Sequence, residues 1–254
     1  MSRTVIRVAN ILEQIANSPN GTTLAEITKK QDIPKSTAFD ILASLQRSDM
    51  IYVSDVERTR YAIGYRTFAI GIKYQKSSHL INSSMKDVLD LSTKLNKTVF
   101  LGRIFDNRVI LVHKEEAQSS IIKMPNIGEL VPIYCTAVGK VLLAFNETNK
   151  EIINELELTK LTEKTIVDKT VLLDELENIE QDGYAVEIGE RDDLLYSIAA
   201  PIYNFENKLS GALSVSYIYS PDVDIEYEVN QIRQCAMEIS RKMGYDEYEL
   251  PPED

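Results

Sequence analysis

The 254-residue chain has little of what marks several large classes of protein, and each shortage narrows its function. It has two cysteines, Cys135 and Cys235, far apart and in no CxxC pair. That spacing argues against a disulfide framework or a structural zinc site and reads as two reduced, buried thiols. Its two histidines, His79 and His113, stand at no metal-ligand spacing with a cysteine or with each other. The dinucleotide fingerprint GxGxxG is missing, as are the phosphate loop GxxxxGK[ST] and the GxSxG nucleophile elbow; Gly139-Lys140 runs on into Val141. No cofactor or metal is therefore expected. No apolar run approaches the ~20 residues of a membrane-spanning helix. Met1–Arg7 lacks the apolar core of a signal peptide, so a cytoplasmic, membrane-free protein is expected.

What is present is a globular balance, 44% apolar and 26% charged, with a net charge of −11. That charge opposes nucleic-acid binding until the chain is divided. Residues 1–75 hold ten Lys/Arg against seven Asp/Glu, and the rest hold 18 against 32. A basic head on an acidic body confines any DNA contact to the head.

The head reads as three helices and a hairpin. Val5, Val8, Ala9, Leu12, Ile15 and Ala16 recur at helical spacing until Pro19-Asn20-Gly21. Thr23-Leu24-Ala25-Glu26 is a capping box opening a second helix, with Leu24, Ile27 and Ala25 as its inward candidates. Gln31-Asp32-Ile33 makes a turn in which Asp32 tolerates a left-handed conformation, and Pro34 suits the start of a third helix. There Ala38, Ile41, Leu42 and Leu45 form a core stripe, opposite Ser36, Asp40, Ala43 and Arg47. Met50–Ser54 and Arg60–Ile63 alternate around a polar tip, Asp55–Thr59, as a wing would. Two helices joined by so short a turn have helix-turn-helix geometry, the second entering the major groove. Lys35, Ser36, Thr37, Phe39, Asp40, Ser44, Arg47, Arg58 and Arg60 are the candidate DNA contacts. Each alone has an ordinary alternative as a cap or a solvated side chain.

Arg7–Leu12, Leu24–Ile27, Ile33–Ala38, Leu42–Leu45 and Tyr61–Gly64 together resemble the DNA-binding domain of the IclR family. Many relatives carry Arg or His near the position of Asp40; an acid there is repelled by phosphate but can accept from a cytosine amino group. The resemblance implies the fold and DNA binding, not the operator sequence.

Residues 67–80 read as a linker helix, separating a winged helix-turn-helix domain (1–66) from a second domain (81–254). A helix led by Ser84 carries Val88, Leu91 and Leu95. The texture then becomes α+β. Strand candidates are Thr98–Phe105, Arg108–Lys114, Ser120–Met124, Tyr184–Ile188, Leu195–Tyr203 and Gly211–Tyr219, with a hairpin turn at Asp106-Asn107. Helix candidates are Ala137–Phe145, Glu151–Leu156, Leu172–Asp182 and Asp224–Met243, so a mainly antiparallel sheet with helices packed on it is expected.

Gly128–Ala144, Asp182–Val186, Ile198–Ile202 and Gly211–Ser216 extend the resemblance over nearly the whole chain. It implies a GAF-like domain that binds a small effector, often a carboxylic acid or aromatic catabolite. It also implies homodimers or dimers of dimers, and often repression. Carried over by position, the effector site would comprise Tyr134, Thr136, Ala137, Val138, Glu187, Ser197, Ser214 and Ser216. Relatives often have His at the position of Tyr134 and Cys at that of Ser197, so a metal in this pocket is not implied; Glu187 stands where many have Asp. The residues alone say only that N–H groups opening a helix at Ala137-Val138 suit a carboxylate and that Ser214 and Ser216 share one strand face. Alternating small residues packed under a helix would look the same. Two rival readings remain: an enzyme using Cys135, which precedes a helix N-terminus, as nucleophile, and a head that binds protein, to which only Asp40 points.

Overall fold

In a computed structural model, residues 2–117, 124–219 and 223–246 are described, and the chain divides into two compact units, Met1–Ser77 and Ser78–Asp254.

The first unit begins with α1 (Arg3–Ala16), β1 (Thr22–Thr23), α2 (Leu24–Gln31) and α3 (Lys35–Arg47). A hairpin of β2 (Ile51–Asp55) and β3 (Arg60–Ile63) follows, then α4 (Tyr65–Ser77). Its core gathers Ile11 and Ile15 of α1, Ile27 of α2, the stripe Ala38, Ile41, Leu42 and Leu45 of α3, and Ile51 and Tyr61 of the hairpin. The inward face of α1 is therefore set by Ile11, Gln14 and Ile15, while Val5 and Ala9 lie in solvent, as does Ala25 of α2. The capping box forms in both directions: Glu26 N–H donates to Thr23 Oγ1 at 3.3 Å, and Thr23 N–H to Glu26 Oε2 at 2.8 Å. Asp32 closes α2 at φ 48°, in the left-handed region. Thr22 and Thr23 pair with Tyr61 and Arg60, so β1 makes the wing a three-stranded sheet ordered β1-β3-β2. Two residues are too few to register as a strand in the sequence.

The second unit opens with α5 (His79–Leu95), whose cap is Ser78 and not Ser84. Ser84 is buried one turn inside, its hydroxyl donating back to Leu80 O at 2.7 Å. Then come β4 (Thr98–Phe105), β5 (Arg108–Glu115), β6 (Leu130–Pro132), α6 (Ala137–Ala144), α7 (Asn149–Glu155) and α8 (Lys169–Asp182). β7 (Ala185–Ile188), β8 (Leu195–Tyr203), β9 (Leu209–Ile218) and α9 (Ile225–Lys242) complete it. Asp106 and Asn107 both take positive φ, the mirror-image turn that matches strand twist in a two-residue hairpin. Of the strand expected at Ser120–Met124, residues 120–123 lie outside the described residues and Met124 is loop. β6, three residues at the sheet edge, was not expected.

Among the described residues six strands run β6-β5-β4-β9-β8-β7, every pair antiparallel. Alternation sorts their side chains onto two faces. Val99, Leu101, Ile198, Leu213 and Val215 face one core, shared with α5 and α9. Phe100, Val109, Leu111, Ala199 and Ala212 face the other, shared with α6 and α8. With both faces covered, the central strands read as near-continuous apolar runs. Gly102 of β4 lets α6 close on this second face, since a Cβ there would stand 2.6 Å from Val138 and 2.7 Å from Val109.

Candidate functional site

The surface of α3 is set by its own periodicity. Burying Ala38, Ile41, Leu42 and Leu45 leaves Lys35, Ser36, Phe39, Asp40, Ser44 and Arg47 exposed, with Thr37 half-buried. Ser44 Oγ donates to Asp40 O at 2.7 Å, and Arg47 Nε to Ala43 O at 3.2 Å, so both begin with a bond inside the helix. The two wing arginines differ. Among the described residues Arg58 shows only a backbone bond, its N–H donating to Asp55 Oδ1 at 3.0 Å, and its side chain is open to solvent. Arg60, expected at DNA, is engaged within the protein: Nη1 donates to Gly21 O at 2.8 Å, and Nη2 lies 3.5 Å from Glu26 Oε1. The β1–β3 pairing draws it inward.

In the second unit a small concave cavity of about 30 Å³, partly open to solvent, lies on the α6 side of the sheet. Thr136, Ala137 and Val138 contribute the opening of α6; Glu187, Ser197, Ser214 and Ser216 contribute the ends of β7, β8 and β9. Register explains the convergence. Glu187 lies opposite Ser197, Ser197 opposite Ser216, and Ser216 opposite Thr98, a polar row across four strands. Phe100, Leu111, Met124 and Leu195 supply apolar wall. Thr136 caps α6, accepting from Gly139 N–H at 3.2 Å, which leaves the N–H groups of Ala137 and Val138 without intrahelical acceptors. Gly139 is required there: a Cβ would stand 2.1 Å from Ile133 O.

Tyr134 does not line this cavity. It is buried, and its hydroxyl donates to Thr159 O at 2.8 Å while accepting from Thr159 N–H at 3.1 Å. Glu187 is a strut as much as a wall. Its carboxylate accepts from Ser197 Oγ at 2.7 Å, Glu190 N–H at 2.5 Å and Arg191 N–H at 3.4 Å, pinning the β7–β8 turn. Burial raises its pKa against those bonds.

Two features were missed in the sequence, Arg191 and Lys140. Arg191, on that turn, lines the cavity, and its guanidinium makes no hydrogen bond or ion pair among the described residues. Ser214, which was expected at this site, is buried there, its hydroxyl likewise without a partner among them. Behind the cavity Lys140 of α6, wholly buried, pairs with Glu175 of α8 at 2.6 Å and with Glu190. A lysine within the apolar run Ala137–Phe145 was the available signal, since a buried cation demands a carboxylate. Burial raises the pKa of Glu190 and Lys140 opposes the shift; Glu190 Oε2 is buried without a partner among the described residues. Cys135 is fully buried, and its thiol is pushed up to about 12 by desolvation and by Glu190 and Glu187. Full burial and that shift argue against Cys135 as a nucleophile.

Comparisons with known proteins agree with both halves. The family model for the bacterial transcriptional regulator IclR C-terminal domain matches residues 72–241, and that for the IclR helix-turn-helix domain matches residues 4–54. The HTH-type transcriptional regulator KdgR of Escherichia coli K12 is 25% identical over 248 residues, 96% of this chain and 94% of its own. The crystal structure of an IclR transcriptional regulator from Alicyclobacillus acidocaldarius superposes with a TM-score of 0.84 at 23% identity, covering 96% of this chain and 100% of that one. An IclR homologue from Microbacterium hydrocarbonoxydans, complexed with 4-hydroxybenzoate, gives a TM-score of 0.81 at 17% identity over 94% of this chain and 98% of its own. With these two models together spanning most of its length, the chain belongs to the IclR family of transcriptional regulators.

Proposed function

We propose that this regulator binds its operator as a homodimer through α3 and the Arg58 side of the wing, and that a small organic carboxylate in the cavity sets its DNA affinity. The observation that carries the effector class is Arg191, a guanidinium on the cavity wall with no partner among the described residues. Guanidinium groups recognise carboxylates through paired, charge-assisted hydrogen bonds. The opening of α6 adds N–H groups at the positive end of a helix, and Ser214 adds a hydroxyl. The 4-hydroxybenzoate bound by the Microbacterium hydrocarbonoxydans homologue is a carboxylate of this kind.

Dimerisation has its own support. α4 has no buried residue and exposes Tyr65, Phe68, Ile70 and Tyr74, an apolar surface of the sort that pairs with a second copy. Two-fold pairing also matches the near-palindromic operators that helix-turn-helix dimers read. The assignments 1–66 as DNA-binding domain, 67–80 as linker and 81–254 as effector domain belong to the same proposal.

Calorimetry of the full chain with a panel of short aliphatic and aromatic acids, each beside its neutral amide, tests the effector class. Acids are expected to bind and amides not. Arg191→Gln should weaken the best acid about tenfold to a hundredfold, the worth of a hydrogen bond to a charged group, and abolish its effect on DNA binding. Unchanged affinity in Arg191→Gln refutes the assignment.

A further inference from the structure

The exposed face of α3 holds an unusual charge. At about 100° per residue, Ser36, Asp40, Ala43 and Arg47 fall within about 60° of arc opposite the buried stripe. They form the centre of the face that a recognition helix turns to the groove floor. Asp40 is exposed, and its carboxylate has no ion pair or hydrogen bond among the described residues. Only its main-chain carbonyl is used, by Ser44. Phe39 beside it is 55% exposed, an apolar ring held in water on a helix whose other large apolar residues are buried.

In the free protein the Asp40 carboxylate is thus unpaired among the described residues, and more than half of the Phe39 ring lies in solvent. Near phosphates an unpaired carboxylate lowers affinity for every sequence alike, unless it meets a hydrogen-bond donor on a base edge. The major groove offers two such donors, the cytosine N4 amino group and the adenine N6 amino group. Adenine sets its N7 acceptor directly beside N6, which repels a carboxylate, so cytosine is the better match. The same groove offers one methyl group, on thymine C5, and an aromatic ring is an apolar partner for it.

We propose that Asp40 selects a cytosine, and Phe39 the methyl of a neighbouring thymine, in the half-site that α3 reads. Asp40 is then a specificity-determining residue, and the basic residues Lys35, Arg47 and Arg58 supply the phosphate attraction that it opposes. The proposal rests on the operator reading above.

Selection of duplexes from a random pool by the full chain, followed by binding titrations, tests it. The unaltered chain should enrich a C in each half-site, any other base there costing about five- to 150-fold. Asp40→Asn should move that position to A, because an amide pairs with adenine N6 and N7. Asp40→Ala should leave the position degenerate while raising affinity for unrelated DNA, and Asp40→Glu should restore C. Replacing the neighbouring T by uracil should weaken the unaltered chain about fourfold, one methyl group's burial, and leave Phe39→Ala unaffected. Both side chains are exposed, so all four variants should melt with the unaltered chain. Identical enriched sequences for the unaltered chain, Asp40→Asn and Asp40→Ala overturn the proposal for Asp40, and insensitivity to uracil overturns it for Phe39. A chain that enriches nothing overturns the operator reading, and this proposal with it.

Discussion

Lys140→Met tests whether the buried ion cluster behind the cavity is balanced as the structure shows. Methionine nearly preserves the volume of the lysine stem and its apolar contacts. It removes the cation that pairs with both Glu175 and Glu190, and among the described residues the Glu190 Oε2 atom already lacks a partner. Breaking a buried pair by deleting one member costs about 3–5 kcal/mol. Glu175 still reaches solvent, with 29% of its side chain exposed, so the lower end of that range applies. For a unit of this size about 3 kcal/mol lowers the melting temperature by about 6–12 °C. Lys140→Met/Glu190→Gln, which removes the stranded charge, should recover most of the loss.

The pH dependence has a definite sign. Burial holds the folded-state pKa of Glu190 above its ordinary value, and without Lys140 it rises further. The folded state then keeps a proton that the unfolded chain releases. Stability is fully present below the ordinary carboxylate pKa and is lost as pH rises through the raised one. The deficit of Lys140→Met should therefore shrink at about pH 5 and widen towards pH 8. Scanning calorimetry of the full chain, following the transition of the second unit, measures both effects. A single variant that melts within about 1 °C of the unaltered chain, or a double variant no better than the single one at neutral pH, refutes the reasoning.

The two wing arginines should separate cleanly. Arg60→Ala loses its bond to Gly21 O and should destabilise the first unit by about 1–2 kcal/mol with an unchanged salt slope of DNA binding. Arg58→Ala should leave melting unchanged and flatten that slope by about one; the reverse pattern would exchange their roles. Burial pushes both thiols up to about 12, so an aromatic disulfide reagent at mild alkaline pH should label Cys135 and Cys235 only as fast as the chain opens. A rapid stoichiometric burst would contradict that burial. Asp168 caps α8, accepting from Thr170 N–H at 2.7 Å and Val171 N–H at 3.2 Å. Asp168→Ala should cost about 1 kcal/mol in chemical denaturation, and no measurable loss would mean the cap is dispensable.

What could be read in the sequence was governed by near neighbours. The capping box of α2, the left-handed Asp32, the Asp106-Asn107 hairpin and the buried stripe of α3 depend on spacings of a few residues, and all appear in the structure. The start of α5 was misplaced because Ser84 can cap a helix or bond back within one, and only the burial of Leu80 and Ile81 decides between them. The missed parts of the site depend on distant pairing. Lys140 meets partners 35 and 50 residues away, and Arg191 reaches the cavity because Glu187 pins its turn. Tyr134 leaves the cavity for a carbonyl 25 residues on.

Arg58 and Arg60 make the same point from the other side. Two arginines at the base of one polar hairpin tip are equivalent by every local rule of charge and spacing. Their difference arises 39 residues upstream, where Gly21 at φ 71° leaves room for Arg60 to cross to its carbonyl. A Cβ on that glycine would stand 2.9 Å from Tyr61 O and 3.3 Å from Arg60 Cβ. The backbone of one turn thus decides which arginine holds the wing in place and which is left exposed to solvent.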